Sequence, residues 1–414
     1  MNQQDCSMGY DVQKIRDDFP ILASRVHGNP LVYLDNGATA QKPLAVIEHI
    51  NRMHRELNAN IHRGVHFMSE QATVMYEAAR ECVREFIGAR STDEIIFNSG
   101  ATAGLNTVAS ILAEGVLRKG DNIIVSEMEH HSNIVPWQLV RDRKGVEIKV
   151  LPLSDDGRLM TERLPELIDG RTRILAVTQA SNVLGTRPDL KAVIAEAKRH
   201  GVLTVVDGCQ GIVHGGVDVV DLGCDFYLFS GHKLYAPTGI GVLYGRRELL
   251  EKLPPYMGGG DMVASVSFER TTYAELPLKY EAGTANYIGA IGMAEAIKYL
   301  LKLGINDIVR HETELLKYAT GLLKSVDGMR IYGSTPDKCS IISFSVDGLH
   351  PTDTGMILDK LGIAVRTGTH CAEPVMRHYG VDSMCRASFA LYNTKEEADA
   401  LYEGVKKAVN MLRR

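Results

Sequence analysis

The segment DLKAVIAEAKRHGVLTVVDGCQG, residues 189–211, decides the fold class. Its first half is an amphipathic helix closed by Gly201, and its second half is a short apolar strand that stops at Asp207. Similar units recur on both sides. EIIFNSG (94–100) reads as a strand running into the helix ATAGLNTVASILAEGVL, and DNIIVSEMEHHSN (121–133) as a strand and polar loop before the helical IVPWQLVRDRKG. VEIKVLPL (146–153) and RILAVTQASNVLG (173–185) are further strands, and the apolar run in CDFYLFSGHKLYAPTGIGVLYG (224–245) breaks at Ser230-Gly231-His232-Lys233. Strand alternating with helix from about residue 31 to 245 implies an α/β fold with a large, mostly parallel sheet covered by helices on both faces. In such sheets ligands collect at the carboxyl ends of the strands, where the polar residues of these segments fall.

Beyond residue 250 the pattern changes. Residues 251–285 are looser and run without periodicity to YEAGTANY, and a long helix over roughly 288–325 is expected next. It leads to a smaller α+β unit holding the strands KCSIISFSV and AVRTG and a closing helix near 395–413, with the N-terminal helix DVQKIRDDF packed on it. The expected division is a large domain over 29–299 and a small one built from 1–28 plus 300–414.

A net charge of −5 with no basic face argues against nucleic-acid or anionic-membrane partners. No stretch reaches the ~18 unbroken apolar residues of a membrane span, and the N-terminus lacks the apolar core of a secretory signal. Seven scattered cysteines without a C-x-x-C pair argue against a disulfide framework or a structural zinc site, and point to a reducing, cytoplasmic setting.

The strand ends hold a coherent set of side chains. Asp207, with Gln210 one turn on, and Lys233 beyond a neighbouring strand can face one crevice, the geometry a pyridine-type cofactor needs: a carboxylate for the ring nitrogen and an amine for a Schiff base. Taken alone, an aspartate there is also an ordinary helix cap, and a lone lysine an ordinary surface residue. The junction Asn98-Ser99-Gly100-Ala101-Thr102 offers free N–H groups at a helix start, with Ser230 and His232 as further donors to a phosphate; plain capping by Ser99 or Thr102 is the competing reading. His130 and His131 lack a second ligand cluster for a metal, so an imidazole stacked on a flat ring, or a structural histidine, fits better. Cys371, in VRTGTHCAEP, sits among Arg366, Thr369 and His370, where positive charge favours a thiolate; the other cysteines read as packing residues.

Taken together, YLDNGATAQKP, NIHRGVH, MEHHSNIVPWQ, SNVLGT, FSGHKLYAPTGIGVLYG, YEAGTANY, RTGTHCAEP and CRASFALYNT resemble, in order and spacing over nearly the whole chain, the group II cysteine desulfurases. These are the SufS-like, selenocysteine-lyase-related branch of the fold-type I pyridoxal-phosphate enzymes, within the class V aminotransferases. The resemblance implies pyridoxal 5'-phosphate held by Lys233 as a Schiff base, Asp207 on the pyridinium nitrogen, Gln210 on the phenolic oxygen and His130 over the ring, where His130 also counts among the catalytic groups. Ala101, Thr102, Ser230 and His232 would hold the phosphate, with Thr284 reaching it from the other subunit of a homodimer. Asn182, Arg386 and His62 would bind the substrate, and no metal is implied. The implied reaction converts L-cysteine to L-alanine, with the sulfur left as a persulfide on Cys371 and passed to a SufE- or SufU-type acceptor for iron–sulfur cluster assembly.

The loop departs from the family at Thr369, where a histidine is common, and at Glu373, whose charge two residues from Cys371 opposes ionisation of the thiol. His350, in DGLHPTD, resembles a histidine that zinc-containing acceptors borrow in some relatives. Alternative readings are selenocysteine lyase as the main role or, from another class, a non-catalytic nucleotide-binding or scaffold protein. The latter is weakened because neither G-x-G-x-x-G nor G-x-x-x-x-G-K-[ST] occurs.

Overall fold

Seven strands form the central sheet of the computed structural model, which describes residues 10–413. In chain order they are β1 (Ile95–Asn98), β2 (Asn122–Ser126), β3 (Glu147–Leu151), β4 (Thr172–Thr178), β5 (Leu203–Asp207), β6 (Phe226–Ser230) and β7 (Gly241–Gly245). Their spatial order is β1-β7-β6-β5-β4-β2-β3. Neighbours from β6 through β5, β4 and β2 to β3 pair in parallel, and β7 alone runs against both of its neighbours. The apolar runs that looked continuous in the sequence alternate between two cores. Ile174, Ala176, Val205, Phe226 and Leu228 face one side, and Leu175, Val177, Val206, Tyr227 and Phe229 the other. A parallel strand buried on both faces needs apolar side chains at every position, which is why period-two alternation is missing from the sequence.

The helix expected over 288–325 is two helices, Tyr287–Leu303 and Ile305–Lys324. They part at Gly304, whose φ of +86° lies in the left-handed region that ends a helix cheaply only at glycine. The looser segment contains a hairpin, Val263–Val266 with Thr271–Tyr273, that short polar strands did not reveal.

A second, antiparallel sheet of four strands follows: β8 (Met329–Tyr332), β9 (Ile341–Val346), β10 (Arg366–Gly368) and β11 (Met384–Ser388), in the order β8-β9-β11-β10. It packs on the helices Ile305–Lys324 and Lys395–Leu412 around Leu315, Phe344, Leu358 and Leu401. The N-terminal helix Val12–Asp17 joins this unit, as Arg16 donates to the Tyr392 carbonyl at 2.7 Å and pairs with Glu397 at 3.0 Å.

One ion pair ties the helix Phe67–Phe86 to the segment before Tyr287. Arg80, fully buried, donates to Glu281 at 2.6 and 3.0 Å, and Glu281 also accepts from Tyr76 Oη at 2.8 Å and from the Phe97 N–H at 2.7 Å. Removing the cation leaves a buried carboxylate without its partner. The variant Arg80→Met is expected to lose about 3–5 kcal/mol of stability, read as a lower urea midpoint; a loss under about 1 kcal/mol would show that Tyr76 and Phe97 alone satisfy Glu281.

Candidate active site

The strands β1, β2, β4, β5 and β6 deliver polar side chains to the same edge. A cavity of about 270 Å³ opens there, lined by Thr102 after β1, His130 after β2, Asn182 after β4, Asp207 and Gln210 at the end of β5, and Ser230, His232 and Lys233 at the end of β6. The second sheet closes it with Arg366, His370, Cys371 and Arg386. One cavity thus gathers ten of the residue positions singled out from sequence together with Ala101. His62 and Thr284 lie outside it. The His62 N–H is held by Thr73 Oγ1 at 2.8 Å and its ring stands edge-on to Tyr76, while Thr284 lines a separate cavity of about 300 Å³ with Ser99 and Glu281.

The helix Ala101–Gly115 begins at Gly100, whose φ is +141°, and no side chain caps it. Ser99 and Thr102 therefore do not serve as its caps. The Ala101 N–H donates to Ser230 Oγ at 2.8 Å, and Thr102 Oγ1 lies 2.8 Å from Ser132 Oγ. The Thr102 and Ala103 N–H groups of this first turn, beside the hydroxyls of Thr102, Ser132 and Ser230, have the chemistry that suits an anion.

Asp207 is buried, and its Oδ1 accepts from the Cys209 N–H at 2.9 Å. Gln210 donates through Nε2 to the Gly37 carbonyl at 2.9 Å. His130 accepts the Ser132 N–H at Nδ1 over 3.0 Å, and its pKa is pushed down to about 4 by burial and by the charge of Lys233. The ring is neutral at physiological pH and presents a flat face rather than a cation. His232 is also lowered to about 4, by burial and then by Lys233 and Lys42. These groups fit pyridoxal 5'-phosphate: a lysine amine, an opposed carboxylate, a neutral imidazole face and an uncapped helix start share one cavity of suitable size.

Arg386 is buried on β11 with its Nε lacking any partner, and it donates to the Asn182 carbonyl at 2.8 Å. A buried guanidinium with an unspent donor suits a carboxylate. Arg366 stands directly opposite it in the β10–β11 register, an unfavourable like-charge pair. Asp35 resolves that repulsion from behind. It accepts from Arg366 at 2.9 and 3.1 Å and from Arg386 at 3.3 Å, without itself lining the cavity. Sequence reasoning gave Asp35 no role, although it lies within YLDNGATAQKP; only the pairing of β10 with β11 discloses two cations needing a counter-charge.

Among the described residues Cys371 is the one exposed cysteine; Cys209, Cys224, Cys339 and Cys385 are buried, and burial pushes each of their thiols up to about 12. Cys6 lies outside the described residues. His370 differs from the positive neighbour expected beside Cys371. It is buried, its Nε2 lies 3.1 Å from the Met384 carbonyl, and burial with the Arg386 charge lowers its pKa to about 3. Positive charge near the thiol therefore comes from the arginines. His350 caps the helix Pro351–Lys360 by accepting the Thr352 N–H.

Comparison with known proteins follows the same line. Residues 32–401 match the family described as Aminotransferase class-V. A cysteine desulfurase of Pectobacterium carotovorum subsp. carotovorum (strain PC1) is 50% identical over 98% of this chain and 100% of its own length. One from Escherichia coli O7:K1 is 48% identical over the same shares. The crystal structure of the Escherichia coli cysteine desulfurase CsdA, in an S-sulfonic acid form, superposes with a TM-score of 0.91 at 42% identity, covering 97% of this chain and 99% of that one. The apo structure of a cysteine desulfurase from Thermococcus onnurineus NA1 gives 0.92 at 36% identity over 97% and 98%. The chain belongs to the class-V aminotransferase family, and its full-length relatives there are cysteine desulfurases.

Proposed function

We propose that this protein is a pyridoxal-phosphate-dependent cysteine desulfurase that moves sulfur from L-cysteine onto Cys371, releases L-alanine and hands the sulfur to an acceptor protein. The observation that carries this reading is the placement of the one exposed thiol among the described residues at the wall of the cavity that holds Lys233, Asp207, His130 and Arg386. An aminotransferase or a kynureninase-like enzyme has no use for that thiol.

The bound cofactor supplies an electron sink that weakens the substrate's Cβ–S bond. Lys233 Nζ would anchor it and carry the substrate α-proton, Asp207 would keep the ring nitrogen protonated, and Gln210 would bond the phenolic oxygen. The neutral face of His130 would pack on the ring, while Ala101, Thr102, Ser230 and His232 would hold the phosphate. Arg386 and Asn182 would grip the substrate carboxylate, which fixes the side-chain sulfur toward Cys371. The Cys371 thiolate then attacks that sulfur: an S–S bond forms, the Cβ–S bond breaks, and the carbon skeleton takes up a proton at Cβ and leaves as alanine.

A homodimer suits the exposed apolar side chains Val65, Phe67, Val74, Val266 and Phe268, and would bring Thr284 and His62 toward a neighbouring site. The division into domains 29–299 and 1–28 plus 300–414 would let the second sheet adjust over the first. A SufE- or SufU-type acceptor, iron–sulfur cluster assembly and a cytoplasmic setting complete the proposal; a reducing compartment keeps an exposed thiol usable. No helix among the described residues is long and apolar enough to cross a membrane.

The purified protein should absorb near 400–430 nm, roughly as a lysine imine of this cofactor does. Lys233→Ala should lose the borohydride-trapped adduct at residue 233, and an adduct at another lysine would refute the anchor. Cys371→Ala should abolish alanine release from L-cysteine while sparing turnover of L-selenocysteine, whose selenium leaves without a thiol acceptor; undiminished cysteine turnover would remove the persulfide step. Asp35→Asn should raise KM for L-cysteine about tenfold with a smaller change in kcat, because both arginines lose their orienting charge-assisted bonds. An unchanged KM would show that Arg386 needs no counter-charge.

A further inference from the structure

His131 follows His130 in the chain yet does not line the cavity, and both its N–H and its imidazole bond the cysteine loop. Its N–H donates to the Cys371 carbonyl at 2.7 Å, and its Nε2 accepts the Glu373 N–H at 3.1 Å. The two bonds bracket the segment that leaves the thiol-bearing residue, from the Cys371 carbonyl to the Glu373 N–H. Immediately before it the backbone is strained: His370 and Cys371 have φ of +54° and +55°, two successive non-glycine residues in the left-handed region. Such a conformation persists only where its surroundings over-determine it. The near side of the turn is held by Asn182 Nδ2, which donates to the His370 carbonyl at 2.8 Å, and by His370 Nε2 against the Met384 carbonyl. The far side, from Cys371 to Glu373, is held by His131.

We propose that His131 is the positioning residue of the sulfur-accepting thiol: its main chain and imidazole clamp the Cys371 turn in its left-handed conformation and so hold the sulfur against the cavity. The clamp also joins the thiol to the residue that packs on the cofactor ring, since His130 and His131 share the short helical turn that His130 itself caps. Thr369 lies at the other end of this turn, where its carbonyl accepts the Ala372 N–H at 3.0 Å. The clamp therefore comes from outside the cysteine loop. The catalytic consequence rests on the desulfurase reading above; the clamp itself does not.

Deuterium exchange, alkylation and turnover, measured on the full-length holoenzyme as His131→Ala and His131→Gln, test this. Loss of the imidazole acceptor should raise exchange at the Glu373 amide about tenfold, leave the β5 amides unchanged, and speed iodoacetamide labelling of Cys371. It should lower kcat for alanine release about tenfold with KM little altered. Glutamine, whose Oε1 reaches nearly as far as Nε2, should restore all three. Unchanged exchange and labelling in His131→Ala would overturn the clamp, and raised exchange with unchanged kcat would overturn its positioning role. Should the wild-type protein release no alanine from L-cysteine, the desulfurase reading fails, and the exchange and labelling results alone decide the clamp.

Discussion

The hydrogen-bonded direction of the central sheet is the constraint on which the rest depends. Because β2 through β6 pair in parallel, their carboxyl ends emerge on one edge, and each return to the next strand must pass over a face of the sheet as a helix or long loop. The polar residues that stop these strands are thereby collected within one cavity, although they are dispersed from Thr102 to Lys233 in the chain. The reversed strand β7 inserts between β6 and β1, and brings the uncapped helix after β1 alongside the Ser230 hydroxyl.

Charge in the cavity is arranged by burial as much as by contact. The three imidazoles that line the cavity, His130, His232 and His370, are pushed by burial toward the neutral form, which leaves Arg366 and Arg386 as fixed cations beside Lys233, with Asp207 within and Asp35 behind as the carboxylates. A cavity with this balance favours anions, as the proposed reaction, with its phosphate and α-carboxylate, requires. The arginines reach it from a separate antiparallel sheet, so that end of the cavity depends on the docking of the second sheet over the first.

Among the described residues, burial encloses four thiols, leaves Cys82 half-buried and leaves Cys371 exposed. Cysteine chemistry here is selected by location: buried thiols are held protonated, and Cys371 is presented on a strained turn pinned from two sides. In the proposed reaction, a thiol pinned in this way would meet substrate sulfur at a fixed place, and an acceptor would have to come to it there.

The alternation of strand and helix, and the residues at strand ends, were legible in the sequence because parallel pairing imposes apolar runs bounded by polar loops, a local pattern. Lys233, Asp207 and Cys371, which the fold brings to one cavity, could be named from such signals and from the family's motifs. The break at Gly304 was missed because apolar periodicity continues through it, and only the left-handed backbone there ends the first helix. The Asp35 ion pairs and the contact of His131 with the cysteine loop were not foreseen for a different reason. Their partners lie hundreds of residues away in the chain, and neither role exists until β10 lies against β11 and the cysteine turn lies against the His130 segment. Local periodicity determined the elements and the chemistry they bear; docking of one sheet on the other decided which charges meet and what holds the thiol, because those interactions are made only between surfaces that folding brings together.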